Sequence, residues 1–452
     1  MFYLKVKEFL NNVCKEIKYK PARKPIFEEL GSHIDEIKYE NICQGLSENQ
    51  AEEIAVEQMG DSKQIGKRLN KIHRPKLDWK LLTLILILVG FRIILYSIHY
   101  LNYQGTDFIE WDLKRDIKYT CFGIIFAIVI YFFDYRKSKK WANLMYFTAT
   151  MILIFQWINW YFNIDGMFSD NMYIINMRLW NICIPLYIIA FAGYMTDYKK
   201  EDFWYIIILY TISCVLIYWQ SDSITNTMIL ILAYLTITAS KMFQNNKKSL
   251  KKVIGMYIAV LFLASISMLV MVNIKIPYLF DNETSEYTYN VYAYETTQKY
   301  EEKVLNNLKW IGPADEIENI SDLNTSQFKF LYLLGTLGII PATILLLAIV
   351  CMSVRIIKNS KNIKDTYGKY LTIGLGTTYI IQSIIHVLMN LNLWIRSDVN
   401  LPFVTEGNLY FLINCFTFAI ILSVYRRKDI NFEEPKKSKL FTKIENYFFE
   451  EC

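Results

Sequence analysis

The stretch LLTLILILVGF, residues 81–91, contains no charged side chain and would show no polar face as a helix. A helix on the surface of a soluble protein alternates apolar and polar faces, so this stretch predicts a helix that lies in lipid. Further apolar runs follow as far as Tyr425, most of them near the length of about 20 residues that crosses a bilayer. The predicted fold class is all-α: a polytopic integral membrane protein of about ten transmembrane helices. The runs cover residues 81–101, 117–134, 141–162, 178–195, 203–219, 224–240, 253–272, 328–354, 370–393 and 406–425.

The basic residues lie in short loops beside these runs, and this placement accounts for the net charge of +6. Basic loops such as RKSKK (136–140), KKSLKK (247–252) and YRRKD (425–429) alternate with acidic or neutral loops such as QGTDFIEWD (104–112). An excess of Lys and Arg marks cytoplasmic loops, so the pattern indicates membrane orientation rather than a nucleic-acid patch. We predict an even number of crossings, both termini in the cytosol and no nucleic-acid partner.

Neither a metal site nor a disulfide framework is predicted. The eight cysteines are scattered without a CxxC pair, and the four histidines show no ligand spacing. The first residues, MFYLKVKEFLNNVCKEIKYK, mix charge into every turn and do not have the pattern of a signal peptide.

Residues 1–76 predict a small helical cytosolic domain ahead of the membrane part. Ser47 and Gln50 form a capping pattern, Gly60 suits a helix end, and Asp61 suits the start of the next helix. The sequence from EELGSHIDE (28–36) to residue 70 resembles the permease-prefix or HAAS-type domain of Gram-positive membrane proteins. The resemblance implies a cytosolic interaction module, and a folded cap without a separate partner is equally compatible.

The membrane part is predicted to span residues 77–429, followed by a cytosolic tail at 430–452. One of its outer loops, residues 273–327, is far longer than the usual connection of about 2–8 residues between helices. Loops of this length are usually functional or disordered, and the many Tyr residues argue against plain disorder.

Three stretches in the second half of the chain carry a family resemblance. They read YWQSDSITNTMILIL (218–232), WIGPADEIENISDLNTSQFKFLYLLGTLG (310–338) and NLNLWIRSDVNLPFVTEGN (390–408). The third is similar, without a gap, to NLGLLPTTGLTLPFISYGG, which opens the last membrane helix of the SEDS proteins (the FtsW/RodA/SpoVE family). The first resembles that family's LQPDLGTALVLL, and the second aligns with the block that contains its HTDF motif. The ten-helix plan and the long loop after the seventh helix fit the same family.

The resemblance implies a multi-pass protein of the bacterial plasma membrane that acts in cell division, shape or sporulation. Its implied activity is a peptidoglycan glycosyltransferase that polymerises the polyprenyl-linked precursor lipid II. The implied partners are that precursor, membrane lipid and a class B penicillin-binding protein. No cofactor is implied beyond a divalent cation for the polymerase reaction. The matching positions, which we take as substrate-binding candidates, are Gln220, Asp222, Gln382, Asn390, Pro402 and Gly407.

The acid of HTDF, considered essential for polymerisation in the family, is Gln327 in this chain. Glycosyl transfer needs a base for the hydroxyl proton and positive charge for the leaving pyrophosphate, and an amide does not titrate. Two replacements stay open: acids of the long loop, and acids at the mouth of the last helix. The loop acids are Asp315, Glu316, Glu318 and Asp322, and the others are Asp398 and Glu406. The catalytic candidates are Asp322, Gln327 and Glu406, although solvated loop charge is the simpler interpretation of the loop acids.

Two alternatives to the polymerase remain. A chain that lost the base would be a non-catalytic, lipid-binding regulator of wall synthesis. A permease-like transporter controlled by residues 1–76 is the other, but we find no internal repeat of the kind that transporters show.

Two polar residues inside the apolar runs call for an interpretation. Arg92 is costly in a membrane unless it faces protein or water. It either contacts a carrier pyrophosphate, as a substrate-binding residue, or extends toward the outer interface. His386 is predicted to be a hydrogen-bonded packing residue.

Overall fold

The computed structural model describes residues 3–102, 107–161, 179–197, 203–221, 223–244, 299, 301–315, 327–405 and 408–429. Within these ranges the regular structure is α-helical. The chain divides into two compact units. The first contains Met1–Leu77, Asn362–Asp365 and Tyr425–Cys452, and the second contains Asp78–Lys361 and Thr366–Val424.

The first unit is built on helices α1 (Tyr3–Glu16), α2 (Lys20–Cys43), α3 (Glu48–Met59) and α4 (Ser62–His73). Helix α1 packs against α4, and α2 packs against α3. Their apolar faces form one core, because residues at helical spacing turn to the same side. The buried members of this core are Phe9, Leu10, Val13, Ile17, Ala22, Ile26, Ile34 and Ala55.

The capping residues predicted for the first unit are confirmed. The Ser47 backbone nitrogen donates to Gln50 Oε1 at 3.3 Å, as a capping box requires. Gly60 ends α3 with φ at 86°, in the region that favours glycine, and Asp61 Oδ1 accepts from the Lys63 nitrogen at 3.1 Å. These contacts fix the sharp connection between α3 and α4.

The second unit holds the apolar helices. In chain order they are α5 (Trp79–Asn102), α6 (Asp107–Phe132), α7 (Arg136–Lys140), α8 (Ala142–Tyr161), α9 (Trp180–Asp197), α10 (Phe203–Ser221), α11 (Ile224–Gln244), α12 (Lys329–Leu337), α13 (Ile339–Lys361), α14 (Thr366–Asn390) and α15 (Asn408–Arg426).

Six of the described helices are long and apolar enough to cross a membrane: α5, α10, α11, α13, α14 and α15. The chain is therefore a multi-pass membrane protein with an all-helical fold, as predicted. The predicted run at 253–272 lies outside the described residues, so the number ten stays a prediction. Helix α6 begins at Asp107, ten residues before the predicted run at 117, because the helix continues through charged residues that an apolar count excludes.

Most residues of helix α9 are buried inside the unit, and α6 and α13 carry part of its apolar outer surface. Val129 on α6 and Leu347 on α13 are each 63% exposed, as expected of side chains that face lipid. Helix α14 packs against α9, α11 and α13. Gly374 allows this contact, since a Cβ there would lie 2.6 Å from Ile188 Cγ2.

Asp78 joins the start of α5 to α13. Arg355 Nε donates to Asp78 Oδ2 at 2.9 Å, Asn359 Nδ2 donates to the same oxygen at 2.5 Å, and the Leu81 nitrogen donates to Oδ1 at 3.2 Å. Burial alone would raise the pKa of Asp78, but these hydrogen bonds hold it below its ordinary value. The carboxylate is therefore stabilised in its charged form.

We expect Asp78→Ala to lower the free energy of unfolding by about 3 kcal/mol, because it leaves the partners of a buried carboxylate unpaired. Thermal unfolding in detergent measures this loss. Since the folded-state pKa lies below the unfolded one, Asp78 stabilises the protein above the unfolded pKa, and the effect fades as pH falls through the folded pKa. Asp197→Ala removes the more exposed pair with Lys139 and should cost less than about 1 kcal/mol. Equal losses in the two variants would contradict this assignment.

Candidate functional site

The C-terminal half of α14 holds two distant segments of the chain. His386 Nδ1 donates to the Val399 carbonyl at 2.8 Å, which confirms the predicted hydrogen-bonded packing role. One turn later, Asn390 Nδ2 donates to the Gln327 carbonyl at 2.8 Å, and Asn390 Oδ1 accepts from the Leu331 nitrogen at 2.8 Å. Residues four apart lie on the same helix face. His386 and Asn390 therefore hold the segments around residues 399 and 327 next to each other on one face of α14.

Gln327 and Asp398 meet at this place. Gln327 Nε2 donates a hydrogen bond to Asp398 Oδ1, although the two residues are 71 positions apart. The position where the resemblance expects an acid thus holds an amide, and the amide contacts a carboxylate from another segment. Asp398 was one of the replacements left open by the sequence, and its contact with Gln327 distinguishes it from the other acids that the structure describes.

Arg396 anchors the segment that carries Asp398. Its Nη2 donates to Glu301 Oε1 at 2.8 Å, and its guanidinium carbon lies 5.6 Å from the centre of the Phe328 ring. Burial raises the pKa of Glu301, and the charge of Arg396 opposes that rise. Arg396 therefore anchors the segment, and Gln327 contacts Asp398 itself.

A tight turn follows Asp398. The Thr405 nitrogen donates to the Leu401 carbonyl at 3.0 Å, and Thr405 Oγ1 accepts from the Leu401 nitrogen at 2.7 Å. Pro402 is buried at the second position of this turn, and Phe403 has φ at 66°, a value uncommon outside glycine. The chain break that the sequence predicts before the last helix is thus a hydrogen-bonded turn, and Pro402 has a structural part in it.

Arg92 holds the same turn from α5. Its guanidinium pairs with Asp116 of α6, and Nη1 donates to the Thr405 carbonyl at 2.5 Å. The guanidinium carbon lies 4.8 Å from the Phe411 ring centre, and the residue is 0% exposed. The interpretation that Arg92 extends to the membrane interface is therefore wrong. Because Asp116 and the Thr405 carbonyl already engage this buried guanidinium, its predicted contact with a pyrophosphate gains no support either.

A cavity opens beside Asp398, between α9, α11, α14, α15 and residues 398–400. Its described lining includes apolar, hydroxyl and amide side chains and one carboxylate. The lining residues are Asn181, Ile184, Pro185, Asn226, Thr378, Tyr379, Gln382, Asp398, Val399, Asn400, Tyr410, Ile413, Asn414, Thr417 and Phe418. The cavity has a volume of about 40 Å³, which is room for a few waters or for one small polar group of a larger ligand.

The sequence-predicted site residues divide into three groups. Gln327 and Gln382 lie at or in the cavity, while Asn390, Pro402 and Arg92 hold the segments around it. Gln220 is partly exposed at the end of α10. Asp222, Asp322, Glu406 and Gly407 lie outside the described residues, and their predicted roles stay predictions.

The acids of the long loop are described only in part. Asp315 pairs with Lys309 and is 63% exposed, so it behaves as a solvated loop acid. Glu316 and Glu318 lie outside the described residues. Within the ranges that the structure describes, no three His, Cys, Asp or Glu side chains come together as metal ligands would. The divalent cation stays a prediction.

Gly338 fixes the approach of residues 309–311 to the junction between α12 and α13. Its φ is 94°, and a Cβ there would lie 2.8 Å from the Lys309 carbonyl oxygen. The Ile339 nitrogen donates to that same oxygen at 2.9 Å. This contact gives a physical reason for a glycine at position 338.

We expect Gly338→Ala to lower the free energy of unfolding by about 2 kcal/mol or more, through the strained φ together with the steric clash. The matched control is Gly312→Ala, at φ 92°, where a Cβ would meet no atom within 4 Å. Gly312→Ala should lower the free energy of unfolding by less than Gly338→Ala does, since it adds backbone strain without a steric clash. Thermal unfolding of both variants measures the difference, and equal losses would show that the close approach is unimportant.

The arrangement can hold a polar ligand beside a carboxylate. Asp398 can accept a proton, and the neighbouring amides and hydroxyls can bind a substrate with many hydrogen-bonding groups. The sequence named Gln327, Asp398 and Gln382 but did not identify the other side chains of the cavity. The one signal for them is the concentration of Asn and Thr within otherwise apolar runs, such as Asn226 and Asn414.

No protein-family model matches the chain. A curated relative, the probable peptidoglycan glycosyltransferase FtsW of Enterococcus hirae, is 28% identical over 124 residues. That alignment spans 26% of this chain and 31% of the relative, so it covers about a third of the relative's length.

Solved structures resemble most of the chain. One comes from work on structural coordination of polymerization and crosslinking by a peptidoglycan synthase complex, with a TM-score of 0.53 and 12% identity. The rod shape determining protein RodA of Thermus thermophilus, in a mutant and an unmutated form, gives TM-scores of 0.52 and 0.51 at 10% identity. Each match covers 78% of this chain and 97% or more of the other. At sequence identities of 10–12%, these matches show a similar fold and no more than that.

Proposed function

We propose that the chain is a SEDS-family membrane protein and that it polymerises glycan strands from lipid-linked peptidoglycan precursor, with Asp398 as the general base. The observation that supports this most directly is the hydrogen bond from Gln327 to Asp398 beside the cavity. The family's essential acid is replaced at its usual position, and a second carboxylate lies in contact with that position. The site therefore keeps a proton acceptor.

In the proposed reaction, Asp398 takes the proton from the 4-hydroxyl of the incoming lipid-linked disaccharide. The hydroxyl oxygen forms a bond to the anomeric carbon of the growing strand, and the bond from that carbon to the carrier pyrophosphate breaks. The pyrophosphate leaves with the electron pair. Gln327 cannot take the proton, but its amide orients the carboxylate by donating to Oδ1.

Positive charge is needed where the pyrophosphate leaves. Arg396 lies two residues before Asp398, and its side chain is 22% exposed. We assign it to the leaving group, since a guanidinium can bind phosphate oxygens in a bidentate manner. Its ion pair with Glu301 would hold it in place between turnovers.

The cellular setting is proposed from the resemblance and the loop charges. The protein would lie in a bacterial plasma membrane with both termini in the cytosol, and it would act in division, shape or sporulation. A class B penicillin-binding protein would crosslink the strands that it makes. A structural relative belongs to a complex that couples polymerization and crosslinking, which supports such a partner.

Fluorescent lipid II supplied to the purified protein in liposomes tests the proposal, with a class B penicillin-binding protein present where available. Glycan ladders on a gel are the expected result. If the ladders vanish in Asp322→Ala but persist in Asp398→Ala, the base is Asp322 of the long loop and not Asp398. No ladder from the wild type, beside an active SEDS control, would favour a lipid-binding regulator instead.

A further inference from the structure

Carboxamides dominate the polar lining of the cavity. Five of them converge there, from helices α9, α11, α14 and α15 and from the segment after Asp398: Asn181, Asn226, Gln382, Asn400 and Asn414. Asp398 is the one charged side chain in the described lining, and no Lys, Arg or His belongs to it. This lining suits a neutral ligand that both donates and accepts hydrogen bonds, and it does not suit a pyrophosphate.

Two of these amides are deeply buried without a full set of partners. Asn400 is 7% exposed, and neither its Oδ1 nor its Nδ2 has a hydrogen bond within the described chain. Asn226 is 2% exposed, and its Nδ2 likewise has none there. A buried polar group without a partner destabilises the fold, so such groups call for an explanation. Both residues border the same cavity, so a group that enters it, either water or part of a ligand, would supply the missing partners.

We infer that Asn400 and Asn226 recognise a secondary amide of the glycan precursor, an inference that rests on the proposed function. A secondary amide offers one N–H donor and one C=O acceptor that point in opposite directions, so two separate side chains can take them: Asn400 Oδ1 can accept from the N–H, and Asn226 Nδ2 can donate to the C=O. Ile184 and Ile413 also line the cavity and would pack against an acetamido methyl group. The amide belongs to a sugar acetamido group or to the precursor's peptide.

Binding to the full-length protein in lipid nanodiscs tests this inference with three probes. They are lipid II, lipid II with the sugar acetamido groups replaced by hydroxyls, and lipid II without its peptide. The wild type should bind the probe that lacks the recognised amide at least about tenfold more weakly than lipid II. The discrimination should shrink to near unity in Asn400→Leu. A drop with the hydroxyl probe assigns the amide to the sugar, and a drop with the peptide-free probe assigns it to the peptide.

Stability supplies a second readout that a structural role for Asn400 would not give. Without ligand, Asn400→Leu should unfold at the same temperature as the wild type or higher, because it removes an unpaired buried amide. If Asn400 had a purely structural role, its replacement would lower the unfolding temperature. The matched control is Asn41→Leu, which removes a buried amide of the first unit whose Nδ2 also lacks a partner in the described chain. It should leave the discrimination between probes unchanged.

The outcomes separate this inference from the proposed function. If the wild type binds none of the probes, the proposed function fails. If it binds all three equally, or if Asn400→Leu keeps the full discrimination, the precursor still binds but amide recognition is wrong.

Discussion

Asp398→Ala is expected to slow glycan polymerisation by about 10²- to 10⁴-fold, the usual contribution of a positioned general base. Asp398 Oδ1 accepts from Gln327, and its carboxylate borders the cavity that we assign to the substrate. Without this carboxylate, no described lining residue is an acid that could take the hydroxyl proton. Initial rates of ladder formation from lipid II measure the effect, with thermal unfolding run alongside to confirm that the variant is folded.

Asp315→Ala is the matched control for this prediction. Its carboxylate pairs with Lys309 on an exposed part of the long loop, away from the described cavity lining. The rate should stay within about twofold of the wild type, as for a surface substitution without a catalytic part. If Asp398→Ala polymerised at the wild-type rate, Asp398 would not be the base, and Asp322 and Glu406 would be the remaining candidates.

Arg92→Met is expected to lower the free energy of unfolding by about 3–5 kcal/mol, the largest effect on stability that we predict. The substitution leaves Asp116 as a buried carboxylate without its guanidinium partner. It also removes the hydrogen bond to the Thr405 carbonyl, which fixes the turn after Asp398. We therefore expect a lower polymerisation rate as well as a lower unfolding temperature.

A double variant separates the buried charge from the lost contact. Arg92→Met combined with Asp116→Leu removes both charges and should recover much of the stability, since an apolar pair can replace a buried ion pair. The rate should recover less, because nothing replaces the hydrogen bond to Thr405. Lys139→Met, in a pair with exposed Asp197, should cost less than about 1 kcal/mol. If Arg92→Met were no worse than Lys139→Met, the buried pair would not have the structural importance that we give it.

The sequence predicted the helices better than the contacts between them. Long apolar runs have few structural solutions in a membrane, so an all-helical multi-pass fold followed from composition and spacing. The capping residues Ser47, Gly60 and Asp61 were also predictable, because their partners lie within a few positions along the chain. Such local rules need no knowledge of tertiary structure.

The candidate site could be predicted only in pieces. Gln327 and Asp398 were each noticed as departures from a family pattern, but nothing local joins residues 71 positions apart. Their contact depends on His386 and Asn390, which hold the two segments on one face of α14. The pairing of Arg92 with Asp116 was not predicted, because the predicted apolar run began one residue after Asp116.

Moving the carboxylate between the two contacting positions tests the central claim most directly. The single variant Asp398→Gln should lose polymerisation, since it places two neutral amides at the site. Adding Gln327→Asp to it returns an acid to the position that the family resemblance expects. The double variant should polymerise lipid II at least about tenfold faster than the single variant, at a rate limited by the exact placement of the acid. An Asp398→Gln variant that polymerises at the wild-type rate would contradict the account.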